Sequence, residues 1–306
     1  MAGSSADAAL GVGLALISQV SQVGKGLQKE GVADLPELSV HTFEQYVHSR
    51  RWMLGIVLDI AGAVVGLVSL ALLPISVAQP IFCNGLVVLA LFSACYLKER
   101  LGWHEWGAVL FCVVGTTLLA LTLEPTDYVG MDLLWVQAKM GGVLLCAVLA
   151  ILALELLGQR ARESQSAPLL ELVTGMQAGI CIGSGNAGLG CGLQLLRVGE
   201  GFTLVIAVSL MLVGLAFTSA HPIFANRGYK VGRVVIITAY LSLVSLATGV
   251  FMGHFVLGEP WPSEARASAM RVAGLVTIAA SIFVLNGSEM CDFRSHKVFR
   301  KCAELV

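Results

Sequence analysis

Asp59 lies inside a long apolar run that begins near Trp52 and ends near Leu73, close to a helical turn from both Gly55 and Gly62. A charge at the centre of a bilayer costs at least about 2.5–3.5 kcal/mol on insertion scales, so few are kept there without a role. Asp59 fits two roles. One is a ligand for a cation or proton; the other is a carboxylate at headgroup level near Arg50 and Arg51, roughly two helical turns away. The neutral polar residues of the other apolar runs divide in the same way. Ser18 and Gln22 share a helix face beside Gln19. Amide oxygens suit the water shell that Mg²⁺ sheds reluctantly, and the same groups also make hydrogen bonds between packed helices.

Gln177, Ser184 and Asn186 stand among glycines at 179, 183, 185, 188, 190 and 192, a pattern for close helix approach or for a broken helix with carbonyls facing a cavity. Gln79 and Pro80 precede Asn84 by about a turn, so a proline kink would open the backbone beside two amides. Thr238, Ser242, Ser245 and Gly249 form a stripe at i, i+4, i+7 and i+11, suited to a helix seam or a pathway wall. His254 is a candidate pH sensor or a structural histidine. Glu155 and Glu171 flank a loop containing Arg160 and Arg162, and Lys139 has the length to snorkel. The run from Gly201 to Ala220 has no ionisable group and is assigned mainly to lipid. The six histidines form no HExxH or Ser/His/Asp constellation, so neither an enzyme nor a cofactor is expected.

The elements that must carry these residues follow from composition. The chain has 306 residues, 57% hydrophobic and 13% charged, with mean hydropathy +0.83, where soluble domains have roughly a quarter charged. This excludes a soluble enzyme and a disordered scaffold. A net charge of −1 offers no basic field for nucleic acid. The eight cysteines lack metal spacing and read as small buried hydrophobes. Windows of about 20 residues match a bilayer core of about 30 Å. They predict nine helical spans, at about 6–24, 52–73, 76–97, 104–123, 134–157, 169–194, 201–221, 233–257 and 268–285. The segment from Lys25 to Arg51 reads as a cytosolic tether.

Fifteen of the nineteen Lys and Arg residues fall on one side of these spans; Lys139, Arg197, Arg266 and Arg271 fall on the other. The positive-inside rule then puts the N-terminus outside or in a lumen and the C-terminus in the cytosol. Asn286 heads a glycosylation pattern on the cytosolic side and is expected to be unmodified. Two internal echoes appear. Leu97-Lys98-Glu99-Arg100 matches Leu257-Gly258-Glu259-Pro260, and Gly24-Lys25-Gly26-Leu27-Gln28 matches Gly190-Cys191-Gly192-Leu193-Gln194, with Ser18 matching Ser184. Each echo lies five spans from its mate, so the copies are inverted across the membrane, a recurrent transporter design. The first repeat is expected over about 6–123, the second over about 134–286, and a cytosolic tail over 287–306.

On these residues the chain resembles the NIPA family of magnesium transporters, within the drug/metabolite transporter superfamily. The resemblance covers Gly11 to Gly31 with its ending Gly24-Lys25-Gly26-Leu27-Gln28-Lys29-Glu30-Gly31, and Gly55 to Leu73 with the following Pro74-Ile75-Ser76-Val77-Ala78-Gln79-Pro80. It continues through Leu97-Lys98-Glu99-Arg100-Leu101 and Cys112-Val113-Val114-Gly115-Thr116-Thr117. Two departures stand out. Where the family has a Gly-Glu pair in its second span, Gly62 is followed by Ala63, and Asp59 sits a turn earlier on the same face. Phe82 replaces the family's small residues after the span-three proline.

The resemblance implies an all-α integral membrane protein with two inverted repeats, drug/metabolite transporter-like, carrying Mg²⁺ or a similar divalent cation in a plasma or endosomal membrane. Lipid is then a partner and a homo-oligomer is allowed. Asp59 is the metal-ligand candidate. Ser18, Gln19, Gln22, Gln79, Asn84, Gln177, Ser184, Asn186, Thr238, Ser242 and Ser245 are the pathway candidates. The alternatives are a carrier of a small organic metabolite, and a non-transporting adaptor that uses the Lys25–Arg51 segment and the basic tail.

Overall fold

A computed structural model describes residues 5–33, 35–36, 41–96, 98, 102–122, 133–164, 166–198, 201–281 and 284. These residues are helical, without strands. In chain order the helices are α1 (Ser5–Ile17), α2 (Val20–Val32), α3 (Phe43–His48), α4 (Arg50–Leu72), α5 (Ile75–Phe82) and α6 (Gly85–Cys95). Then come α7 (Trp103–Ala120), α8 (Leu133–Glu163), α9 (Ala167–Val198), α10 (Phe202–Val231), α11 (Val234–Phe251) and α12 (265–281). A π turn over Met252–Val256 prolongs α11. Among the described residues five helical stretches are long and apolar enough to cross a membrane: Arg50–Leu72, Ile75–Phe92, Trp135–Glu163, Thr203–Val231 and Val234–Val256.

The first expected span is two helices in place of one. At Ser18 and Gln19 the backbone tightens: Gln19 N–H donates to Leu16 O (3.1 Å) and Ser21 N–H to Ser18 O (3.1 Å). Two side chains then take up the Ala15 carbonyl, Ser18 Oγ and Gln19 Nε2 each donating to it at 2.7 Å. Short side-chain bonds of this kind compete with the helical ladder. The helix resumes as α2 and runs to Val32, so Lys25 to Val32 is not part of a tether. Hydropathy falls at Lys25, Gln28 and Lys29, but this polar face is covered by neighbouring helices, and Lys25 and Gln28 are buried. A further piece of the expected tether forms α3, whose Tyr46 ring packs edge-on against Trp52.

The third span also breaks. Pro80 has no N–H to donate to the preceding turn, and the chain bends a little further on, where Cys83 N–H donates to Pro80 O and Asn84 N–H to Ile81 O, both at 3.1 Å. Pro74 leaves α5 without a capping side chain at its start. Glu259 supplies one from far along the chain: its two carboxylate oxygens accept from Ile75 N–H (2.7 Å) and Ser76 N–H (2.9 Å). A negative charge suits that helix end.

Glycines set two close crossings. A Cβ at Gly24 would lie 2.5 Å from Gly55 O, so α2 and α4 meet backbone to backbone. A Cβ at Gly214 would lie 2.7 Å from Leu189 N, where α10 meets α9. The outward surface is apolar; α8 exposes Leu145, Leu149, Leu152 and Leu156. Cys83, Cys112, Cys181 and Cys191 are buried as expected, but Cys95 and Cys146 are exposed on that surface. Asn286, the basic tail, Cys291, Cys302, and Leu97, Glu99 and Arg100 of one echo lie outside the described residues.

Candidate functional site

The break at Ser18–Gln19, the middle of α4 and the bend after α5 face parts of α9, α10 and α11 across a cavity of about 450 Å³. Eight of the twelve candidates line it: Ser18, Gln19, Gln22, Asp59, Gln79, Asn186, Ser242 and Ser245. Helix periodicity explains the grouping on each element, since Ser18 and Gln22, and Ser242 and Ser245, share faces. Ala63 and Phe82 line the same cavity, so both departures from the family pattern sit on its wall.

The other four candidates do not line it. Gln177 Nε2 donates to Glu155 Oε2 (3.0 Å) and Ile151 O (3.3 Å), sealing α9 against α8. Ser184 and Thr238 are fully buried within the helix packing. Asn84 stands at the turn between α5 and α6. The α11 stripe is thus seam at Thr238 and wall at Ser242 and Ser245, because one helix face meets neighbours of different reach along its length.

Two groups enter the site that the hydropathy windows had placed elsewhere. Lys25, expected on the cytosolic surface, is 6% exposed and lines the cavity. His221, just past the run expected to face lipid, is also 6% exposed and lines it with Thr218 and Pro222. The run from Gly201 to Ala220 is largely exposed, with Leu204, Val205, Val208 and Leu212 outward, as a lipid face requires, and α10 continues past it to Val231 and carries His221 to the cavity. A signal for Lys25 was present, since it follows Ser18 by seven residues and Gln22 by three and so extends the same helix face.

Hydrogen bonds tie the wall together. Trp52 Nε1 donates to Asn226 Oδ1 (3.2 Å), Asn226 Nδ2 to Gln28 Oε1 (3.1 Å), and Gln28 Nε2 to Asp59 Oδ2 (3.4 Å). The chain runs from α4 through α10 and α2 back to α4, so Asp59 is held by a partner that is itself held. Gln79 Oε1 accepts from Asn186 Nδ2 (3.0 Å), and its Nε2 donates to Ser245 O (3.3 Å), which commits both ends of that amide. By contrast, Gln22 Oε1 and Thr218 Oγ1 have no hydrogen-bond partner among the described residues. Both belong to residues that line the cavity, on α2 and α10, but the two atoms themselves are enclosed by the packing. Among the described residues no three His, Cys, Asp or Glu side chains converge as a dehydrating metal cage.

Outside the cavity the remaining polar residues pair. Glu155 meets Arg162 (3.6 Å) and Arg227 (3.5 Å), and Glu171 accepts from Arg233 N–H (3.2 Å). Lys139 Nζ donates to Phe255 O (3.1 Å) between the Trp135 and Phe255 rings. His254 Nδ1 lies 2.8 Å from Glu259 O, beside the Trp261 ring.

Apolar helices around a largely apolar cavity that takes in Asp59 and Lys25 define a multi-pass membrane protein of the transport class. The chain belongs to the magnesium transporter NIPA family, whose model matches residues 6–290. It is 28% identical over 289 residues to the probable magnesium transporter NIPA9 of Arabidopsis thaliana, a match covering 92% of this chain and 83% of that protein. Over 109 residues it is 27% identical to the probable 4-amino-4-deoxy-L-arabinose-phosphoundecaprenol flippase subunit ArnE of Photorhabdus laumondii, which covers 35% of this chain and 93% of that protein. No solved structure matches.

Proposed function

We propose that this chain carries Mg²⁺ or a similar divalent cation across a membrane, with Asp59 as the charged group that holds the ion and the cavity as its midway site. The observation that carries this is the meeting, in one space, of the Asp59 carboxylate with the neutral polar residues Ser18, Gln22, Ser242 and Ser245. Mg²⁺ usually keeps several waters and binds through one or two carboxylates. Its water shell donates hydrogen bonds, which hydroxyl and amide oxygens accept. Two unit charges about 4 Å apart attract by about 4 kcal/mol at an effective dielectric near 20, and a divalent ion doubles that. Asp59 therefore dominates retention, and the neutral groups orient the shell. Because Gln28 steadies Asp59, the ligand is positioned before the ion arrives.

Alternating access would come from two inverted halves. In support, the two echoed helices, α2 and α9, each pack on a following helix through glycines: Gly24 on Gly55 in one half, Gly188 and Gly185 on Gly214 in the other. The relative that fits 93% of its length into 35% of this chain also suits a half-sized unit. The gathering of Arg162, Arg227 and Arg233 around Glu155 and Glu171 favours one cation-rich face, assigned to the cytosol, with the N-terminus outside or lumenal. A plasma or endosomal membrane and a homo-oligomer fit this reading equally.

The test is Mg²⁺ uptake into proteoliposomes loaded with a magnesium-sensitive dye. Wild type is expected to transport and Asp59→Asn to lose at least tenfold. Uptake retained in that variant removes Asp59 from the site. No uptake by folded wild type shifts the assignment to a small organic metabolite, which the paired amides of Gln79 and Asn186 would suit. The adaptor reading is weakened by α2, because part of the expected partner-holding loop is buried helix.

A further inference from the structure

The cavity contains a cation of its own. Lys25 is almost wholly buried on α2 and lines the same space as Asp59. Among the described residues its ammonium forms no salt bridge; Asp59 acts on it across the cavity. From α10 the facing titratable group is His221, with Tyr229 further along the helix and also in the field of Asp59. The other helices against α2 bring no charge, since α6 and α11 contain no Asp, Glu, Lys, Arg or His. A lone carboxylate thus faces one lysine and one histidine in a site surrounded by apolar packing.

We propose that Lys25 is a built-in counter-cation that balances Asp59 in the empty cavity and gives up its proton when a divalent cation enters, so that transport exchanges the cation for a proton. This rests on the divalent-cation reading above. A divalent ion and an ammonium beside a single carboxylate leave an excess of positive charge in a space of low polarity, where such repulsion is poorly screened. Buried lysines are the cationic side chains that yield a proton, whereas arginine stays charged. In the step, one Nζ–H bond breaks, its electron pair stays on Nζ, and the proton passes to cavity water and on to the solution. When the ion leaves toward the other side, Nζ takes a proton from that side. The net result is one cation moved one way and one proton the other.

The experiment is Mg²⁺ binding to the purified full chain in detergent, with proton release followed in weakly buffered solution and affinity measured at neutral and alkaline pH, where carboxylates are ionised. Wild type is expected to release close to one proton per Mg²⁺ and to bind more tightly as pH rises, by up to tenfold per pH unit. Lys25→Met keeps the stem without the charge; it should bind with an affinity that no longer changes with pH and release no proton. Lys25→Arg should bind at least tenfold more weakly at every pH, without release. His221→Asn should still release.

Proton release by Lys25→Met equal to wild type, wild-type affinity in Lys25→Arg, or release lost with His221→Asn while Lys25→Met retains it, each overturns the proposal while leaving divalent-cation transport intact. A folded wild type that binds no divalent cation overturns both. If Lys25→Met does not fold, the arginine variant decides the matter alone.

Discussion

Glu259 shows how far a single side chain can reach in this fold. It lies in one half of the chain and supplies the start of α5 in the other, through two backbone N–H groups. Its sequence echo of Glu99 points to a repeated turn, but says nothing of this capping. Losing a cap typically costs about 0.5–2 kcal/mol, and here two donors lose their acceptor together. Glu259→Ala is expected to lower the thermal unfolding midpoint in detergent, and Glu259→Gln to lower it less. Unchanged unfolding in both variants would remove the capping role. Asn226 is a second such residue, because its amide connects Trp52 and Gln28. Asn226→Leu leaves both without their buried partner, which costs about 1–3 kcal/mol per group, and frees Gln28 to turn away from Asp59. Reduced Mg²⁺ uptake together with reduced stability is expected, measured as initial rate and unfolding midpoint. A rate unaltered in a destabilised variant would separate the network from transport.

At the level of helices, the glycines at crossings and those facing open space should behave oppositely. Gly24 meets the backbone of α4, and the added carbon of Gly24→Ala would fall 2.5 Å from Gly55 O, where nothing flexible can yield. Overpacking of this kind typically costs about 1–3 kcal/mol. Gly13, inside α1, has no heavy atom within 4 Å of an added Cβ. Gly13→Ala should stabilise α1 by about 0.5–1 kcal/mol, the usual gain of Ala over Gly within a helix. Unfolding midpoints of the two variants should therefore move in opposite directions, and equal shifts would contradict the crossing. The helix breaks at Ser18–Gln19 and Cys83–Asn84 were only partly legible. Pro80 announced the second, displaced by a few residues. No proline or glycine announced the first, which depends on side chains that find Ala15 O and on neighbours that fill the bend.

The whole molecule has a charge asymmetry that can be tested as orientation. Cysteines placed at exposed positions 164 and 264, in a background with the native exposed cysteines replaced, should differ in their reaction with an impermeant maleimide. In intact cells carrying the protein at the surface, position 264 should label and position 164 should label only after permeabilisation. The reverse pattern would invert the topology, and labelling of both from one side would contradict the expected number of crossings. That Arg162 and Arg227 share Glu155 gives the asymmetry a structural counterpart.

Length, hydropathy and polar spacing determined the all-helical membrane character, the placement of most long helices, and eight polar residues, Asp59 among them, that line the cavity. Those properties are intrinsic to each residue or to its own helix: transfer into lipid is a cost per side chain, and shared faces follow from helical periodicity. The tertiary structure alone decided which polar groups face the cavity and which close a seam, because that depends on how each helix is rotated against its neighbours. Gln28 meets Asp59 across 31 residues and Asn226 across 198. It also decided the fate of Lys25, whose hydropathy assigns it to water but whose place on α2, covered by α4 and α10, encloses it in the cavity that Asp59 also lines.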